Sequence, residues 1–136
     1  MKKRVYLFQV NYQMGHGQYT SLWLPYSVAS VWTYVNQHQE VKDNFEVQEC
    51  IFKREEFDDV LNRLENPELC LFSHYLWNDN YNLELAKLIK EKWPQCVIIF
   101  GGPQVDEIGF NFTLANPFVD SIVINEGEVS LAHLLN

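Results

Sequence analysis

The chain has 136 residues, a formal net charge of −8 and 47% hydrophobic residues. These figures suit one folded domain with one core, and the acidic balance argues against a nucleic-acid surface, which needs a basic stripe. No apolar run reaches the roughly 18 residues of a membrane span. The apolar part of MKKRVYLFQV is short and stops at Gln9 and Asn11, so it reads as a strand, not a secretion signal. Cys50, Cys70 and Cys96 lie 20 and 26 residues apart, and no Cys-x-x-Cys or His-x-x-x-His spacing exists. Buried thiols of a cytoplasmic protein are expected, and a zinc or iron–sulfur site within this chain is not.

Arg4–Val10 is predicted as the first strand. Val5, Leu7 and Val10 are apolar and Tyr6 and Phe8 fill the opposite face, as in a central parallel strand. A long turn-rich loop follows, Asn11 to Leu22 with Gly15 and Gly17, and long loops in compact domains are often functional. Pro25 suits a first helical turn. Val28, Val31, Trp32 and Val35 recur at helical spacing, which predicts a helix to about Gln39. Phe45–Phe52 alternates and reads as a strand near an edge. Glu55, Glu56 and Asp58 favour the start of a helix; its buried face is Phe57, Val60, Leu61 and Leu64, and it ends before Pro67.

The stretch from Leu69 to Gln104 organises the rest. An apolar strand (Leu69–Phe72) leads into a polar and aromatic elbow (Ser73–Asn80). A helix follows at about Tyr81–Trp93, with Tyr81, Leu85, Leu88, Ile89 and Trp93 on one stripe and Asn80 or Asn82 as its cap. A second apolar strand, Val97–Phe100, ends in Gly101-Gly102-Pro103. Two apolar strands joined by a helix form a parallel βαβ unit. A short helix (Glu107–Ala115), a fifth strand (Val119–Ile124) and a last helix (Gly127–Leu135, with Val129, Ala132 and Leu135 inward) complete the chain. The expected fold is α/β: a flavodoxin-like, five-stranded parallel sheet in order 2-1-3-4-5, with helices on both faces.

In such sheets ligands sit at the carboxyl ends of the strands. Here those ends carry Ser73 and Gly101-Gly102, where a ligand can approach the backbone. Tyr75 and Trp77 offer flat faces for a large planar group. Other chemistries fit less well. Ser73 and His74 are adjacent in an extended segment, so they point to opposite sides and do not pair as nucleophile and base. Gly15-His16-Gly17 lacks a phosphate-loop pattern. The paired acids and lysine of a phosphoryl receiver are missing. Glu126 and Glu128 complement the positive end of the last helix.

The segments FSHYLWNDNYNLELAKLIKEKWP, IIFGGPQ and VDSIVINEGEVSLAHLL, in register, resemble the N-terminal cobalamin-binding domain of radical S-adenosylmethionine enzymes. The matching residues are Ser73-His74-Tyr75-Leu76-Trp77-Asn78 after the third strand and Gly101-Gly102-Pro103 after the fourth. Asn125-Glu126-Gly127-Glu128 after the fifth strand and Leu24-Pro25 before the first helix also fit. The resemblance implies a single domain, residues 1–136, that forms the N-terminal part of a longer protein. It implies a corrin ring over the carboxyl edge and a nucleotide tail beside Ser73 and Gly101-Gly102. The implied cofactor contacts are Asn11, Tyr12, Gln13, Ser73, Tyr75, Leu76, Trp77, Gly101, Gly102, Pro103, Gln104, Glu126 and Gly127. The implied partner is a C-terminal barrel that carries the 4Fe-4S cluster and S-adenosylmethionine; many such enzymes move methyl groups. The cluster motif Cys-x-x-x-Cys-x-x-Cys is absent, so this chain is not expected to be catalytic alone. The Asp-x-His-x-x-Gly pattern that supplies a cobalt ligand elsewhere is also absent: the loop reads NYQMGHG, with His16 alone. Base-off cobalamin without a histidine ligand is expected, and His74 is expected to be a solvated loop histidine. A docking domain with a vestigial site and a flavin or nucleotide binder remain as alternatives.

Overall fold

The computed structural model describes residues 1–14, 21–105 and 110–136. Five parallel strands form the sheet: β1 (Lys3–Phe8), β4 (Phe45–Ile51), β5 (Leu69–Ser73), β6 (Val97–Gly101) and β7 (Ser121–Val123). Their order across the sheet is β4-β1-β5-β6-β7, which is 2-1-3-4-5 when the five are counted along the chain. A separate two-stranded ladder pairs β2 (Gln13–Met14) with β3 (Ser21–Leu22). The helices are α1 (Tyr26–Val35), α2 (Gln39–Asn44), α3 (Phe57–Arg63), α4 (Asp79–Lys92), α5 (Phe110–Ala115) and α6 (Gly127–Leu135).

Alternation along the strands builds a core on each face. Tyr6, Phe8, Cys70, Phe72, Ile98 and Phe100 meet the α3 and α4 residues Val60, Tyr81, Leu85 and Ile89. Phe8, Phe72 and Phe100 stand in register on neighbouring strands. Their rings stack at 4.4 Å and 4.7 Å between centroids. On the other face Val5, Leu7, Leu71 and Ile99 meet Val28, Trp32 and Val35 of α1 and Leu131 of α6. A face of β1 and β5 buried on both sides explains the continuous apolar runs of those strands.

Several boundaries differ from expectation. The helix expected to run to Gln39 stops at Val35, because Asn36-Gln37-His38 offer no apolar residue to carry the stripe on; Val41 then anchors the separate α2. The helix expected from Tyr81 begins at Asp79, and neither Asn80 nor Asn82 caps it: Asn82 is buried inside its first turns. On α6, Val129 points to solvent and Leu131 is buried instead. Gly127 fixes this, since a Cβ there would lie 3.4 Å from Val31 and residues four apart share that face. Among the described residues no helix is long and apolar enough to cross a membrane. The three cysteines are free thiols. Cys70 and Cys96 are buried, their sulfurs 3.6 Å apart, and Cys50 is half-buried. Burial raises the Cys70 thiol well above its ordinary value and pushes Cys50 up to about 11, so both stay protonated at neutral pH.

Candidate functional site

At the carboxyl edge of the sheet, α1 and α6 leave a cleft of about 640 Å³ over the ends of β5, β6 and β7. That size is ordinary for a small-molecule site. Strand register sets its depth. Ser73, Gly101 and Val123 stand at one level. Leu71 and Ile99, paired with each other, form the level beneath, deeper by two residues or about 6–7 Å of strand rise. Val28 and Val31 from α1 and Leu131 from α6 complete the aliphatic walls.

The polar groups of the cleft are few. Ser73 is only 8% exposed, and its hydroxyl bonds to no described residue. Ser27 and Tyr75 bond to each other, hydroxyl to hydroxyl, at 2.6 Å. Asn125 holds a left-handed turn (φ 63°) between β7 and α6, and Glu126 and Glu128 lie beside it. No lysine, arginine or histidine lines the cleft among the described residues.

An aromatic ledge adjoins the cleft. Tyr75 stacks on Trp77 at 4.4 Å and 10°. Tyr12 lies 6.0 Å from Trp77 and 6.2 Å from Trp23. Trp23, Leu24, Tyr26, Leu76 and Trp77 are all exposed. The ledge is held from beneath by buried amides. Asn11 donates to the Trp23 carbonyl at 2.8 Å. Gln9 accepts from the Val28 amide at 3.0 Å, which satisfies one free N–H of the first turn of α1. Asn78, fully buried, donates to the carbonyls of Val10 and Ser73 and accepts from the Tyr75 amide. One side chain thus ties the ends of β1 and β5 to the elbow.

The other face of this edge is closed. His74 is fully buried, which corrects the expectation of a solvated loop histidine. Its amide extends the ladder to the Gly101 carbonyl, so its side chain alternates away from Ser73 toward α4 and α5. The ring lies 4.9 Å from Phe100 and 5.5 Å from Phe112. Asn82 Nδ2 is 3.3 Å from Nδ1, and Asp79 Oδ1 is 2.7 Å from Nε2. Burial lowers the imidazole below its ordinary value, against the raising influence of Asp79. The ring is therefore neutral at pH 7.

Of the residues singled out in the sequence, Ser73, Tyr75, Gly101, Gly102, Pro103, Glu126 and Gly127 line the cleft. Tyr12, Leu76 and Trp77 belong to the ledge, and Asn11 supports it. Gln104 lies outside the cleft, its amide bonded to the His74 carbonyl. Gln13 sits in the two-residue ladder. His16, with Gly15 and Gly17, lies outside the described residues. The two glycines separate. Gly102 has φ 112°, and a Cβ there would lie 2.6 Å from the His74 carbonyl oxygen, so the fold itself demands glycine. A Cβ at Gly101 would make only ordinary contacts with Val123. The α1 wall (Ser27, Ser30, Val31) was missed. Its signal is two serines three residues apart beside the apolar stripe, which leave room on a helix face turned to the sheet.

No protein-family model matches the chain. Over 124 residues, 91% of its length, the chain is 30% identical to the cobalamin-dependent radical SAM methyltransferase TokK of Streptomyces tokunonensis. Over 112 residues it is 30% identical to the 2-(S-pantetheinyl)-carbapenam-3-carboxylate methyltransferase of Streptantibioticus cattleyicolor. The chain is a distant relative of these enzymes and spans only 18% and 16% of their lengths. In fold it is similar to the beryllofluoride-activated DrrB receiver domain, with a TM-score of 0.59 at 15% identity, covering 98% of this chain and 95% of that one. The response regulator DrrB of Thermotoga maritima gives 0.60 at 16% identity, and there the match spans 51% of the solved chain. That likeness extends to the flavodoxin-like architecture alone.

Proposed function

We propose that this chain is the cobalamin-binding domain of a radical SAM enzyme, a methyltransferase by its relatives, and that it holds the cofactor base-off. The observation that carries the reading is the cleft between α1 and α6. It opens at the carboxyl edge, has an aliphatic floor and offers the hydroxyl of Ser73, a largely buried residue whose side chain bonds to no described residue. An uncharged heterocycle fits that donor set. The ledge of Tyr12, Trp23 and Trp77 next to it suits a flat macrocycle. Tail in the cleft and ring on the ledge is one continuous surface. No cation lines the cleft among the described residues and Glu126 and Glu128 do, so an uncharged heterocycle suits the cleft better than a phosphate.

In this reading Ser73, Gly101, Pro103 and Gly127 hold the tail, and Tyr12, Tyr75, Leu76 and Trp77 face the ring. Glu126 lines the cleft, and Asn11 and Asn78 fix the ledge. Gln13 and Gln104 belong to its margins. Cobalamin supplies a cobalt that carries a methyl group. The chain's own residues bind it, bury its base and set which face stays open. No described histidine lines the cleft, so the reading includes cobalt without a histidine ligand from these residues. The exposed Leu24, Tyr26 and Leu76 at the same edge fit contact with a radical SAM barrel that carries the 4Fe-4S cluster and S-adenosylmethionine.

Titration with hydroxocobalamin, followed by absorption, tests the reading. Saturable binding with a base-off spectrum is expected. Ser30→Trp fills the cleft from the half-buried α1 wall; it is expected to leave the thermal midpoint within a few degrees and to weaken binding tenfold or more. Absence of saturable binding by the unaltered chain overturns the reading, as does unchanged affinity in Ser30→Trp.

A further inference from the structure

We infer that the cleft selects corrinoids by their lower base, accepting dimethylbenzimidazole and disfavouring a purine. This rests on the cobalamin reading above and specifies the ligand chemistry of its pocket. A base on a nucleotide tail enters tethered through its ribose, so the edge opposite the attachment leads into the cleft. In dimethylbenzimidazole that leading edge carries two methyl groups and no polar atom. Its one free ring nitrogen lies on the trailing five-membered ring. In adenine the leading ring carries an exocyclic amine and ring nitrogens.

The register of the strands separates the cleft along the same line. Ser73 offers a hydroxyl bonded to no described residue at the level of Gly101 and Val123. The next level down presents the side chains of Leu71 and Ile99, whose strand backbones are paired with each other. Val28, Val31 and Leu131 close the sides. Ser30, one turn into α1 from Ser27, adds a hydroxyl to the α1 wall of the cleft. It can donate to one ring nitrogen and accept from the amine, but it cannot meet an amine and two ring nitrogens together. The remaining atoms would lose their water without gaining a partner, a penalty that methyl groups do not incur. Methyl groups in the same place gain contacts with the aliphatic floor.

The test compares three corrinoids with the same upper ligand on the unaltered chain: cobalamin, its adenine-based analogue and cobinamide, which lacks the nucleotide. Dissociation constants come from absorption titration and equilibrium dialysis. Cobalamin is expected to bind at least tenfold more tightly than the adenine analogue, with cobinamide also weaker. Val31→Thr, isosteric and polar, is expected to narrow the ratio between cobalamin and the adenine analogue while the circular dichroism spectrum is retained. Equal affinity for cobalamin and the adenine analogue overturns the selection and leaves the cobalamin reading standing. Equal affinity for cobalamin and cobinamide shows that the base lies elsewhere and overturns the inference in a second way. Binding of none of the three overturns both.

Discussion

Ser73 and His74 are neighbours in the chain, yet the two sides of the sheet edge treat them in opposite ways. On the α4–α5 side, Phe100, Phe112, Asn82 and Asp79 close around the His74 ring. On the α1–α6 side, the same strand ends border a cleft of about 640 Å³, where the Ser73 hydroxyl bonds to no described residue. Protein interiors are close-packed and leave few voids, and a gap over aliphatic side chains forfeits dispersion contacts. The closed side is thus what folding requires, and the open side is what folding alone does not explain. Substitutions on the closed side should therefore cost stability, whereas those on the open side should cost binding.

The largest effect is expected at Gly102. Alanine there meets both the positive φ and the His74 backbone, at 2.6 Å from its oxygen and 2.9 Å from its nitrogen. A loss of about 3 kcal/mol or more is expected in denaturant unfolding. Gly101→Ala, with only ordinary contacts, is expected to cost about 1 kcal/mol or less. Equal losses would mean that the fold does not distinguish the two glycines. Next in size is Asn78→Ala, which strips partners from Val10, Ser73 and Tyr75 at once. About 2–3 kcal/mol is expected, together with faster amide exchange over residues 73–78.

The closed side also carries a pH dependence. The groups facing His74 are Asp79 and Asn82 of α4, with apolar rings from β6 and α5. Burial holds the folded imidazole below its ordinary 6.5 despite Asp79. The unfolded chain therefore takes up the proton first as pH falls. Stability is full above 6.5 and declines below it, until the folded pKa is passed. His74→Leu is expected to flatten the decline below pH 6.5 relative to the parent protein. An unchanged slope would mean that other groups set it.

The sheet was legible in the sequence because its signals are redundant. Leu69–Phe72 and Val97–Phe100 are apolar on both faces, and only a central parallel strand buries both. The strand-end motif gave Ser73, Tyr75, Gly101 and Gly127 for the same reason: topology brings all carboxyl ends to one edge. His74 was misread because a polar residue just past an apolar run resembles a loop. Only the backbone bond to Gly101 shows that the ladder continues and turns the ring inward. Asn78 was legible as part of a motif but not as the tie between β1 and β5, since its partner Val10 is 68 residues away. The α1 wall was missed because Ser27 and Ser30 become ligand-facing only when α1 and α6 are set side by side, a tertiary fact.

The smallest expected effect lies on the seam between ledge and cleft. The Ser27–Tyr75 bond joins α1 to the elbow at 2.6 Å. Ser27 is only half-buried, so water can replace the lost hydroxyl in Tyr75→Phe, and the ring keeps its stack on Trp77. A stability loss of about 1 kcal/mol is expected, and a double-mutant cycle with Ser27→Ala should return most of it as coupling. Because the seam spans the route from ledge to cleft, both single variants are expected to change the rate of cobalamin association more than they change stability. Tyr34→Phe, on the exposed side of α1, is the control and should alter neither. If the two seam variants behave like Tyr34→Phe, ledge and cleft are not parts of one binding surface, and the division between a closed and an open side would hold for packing alone.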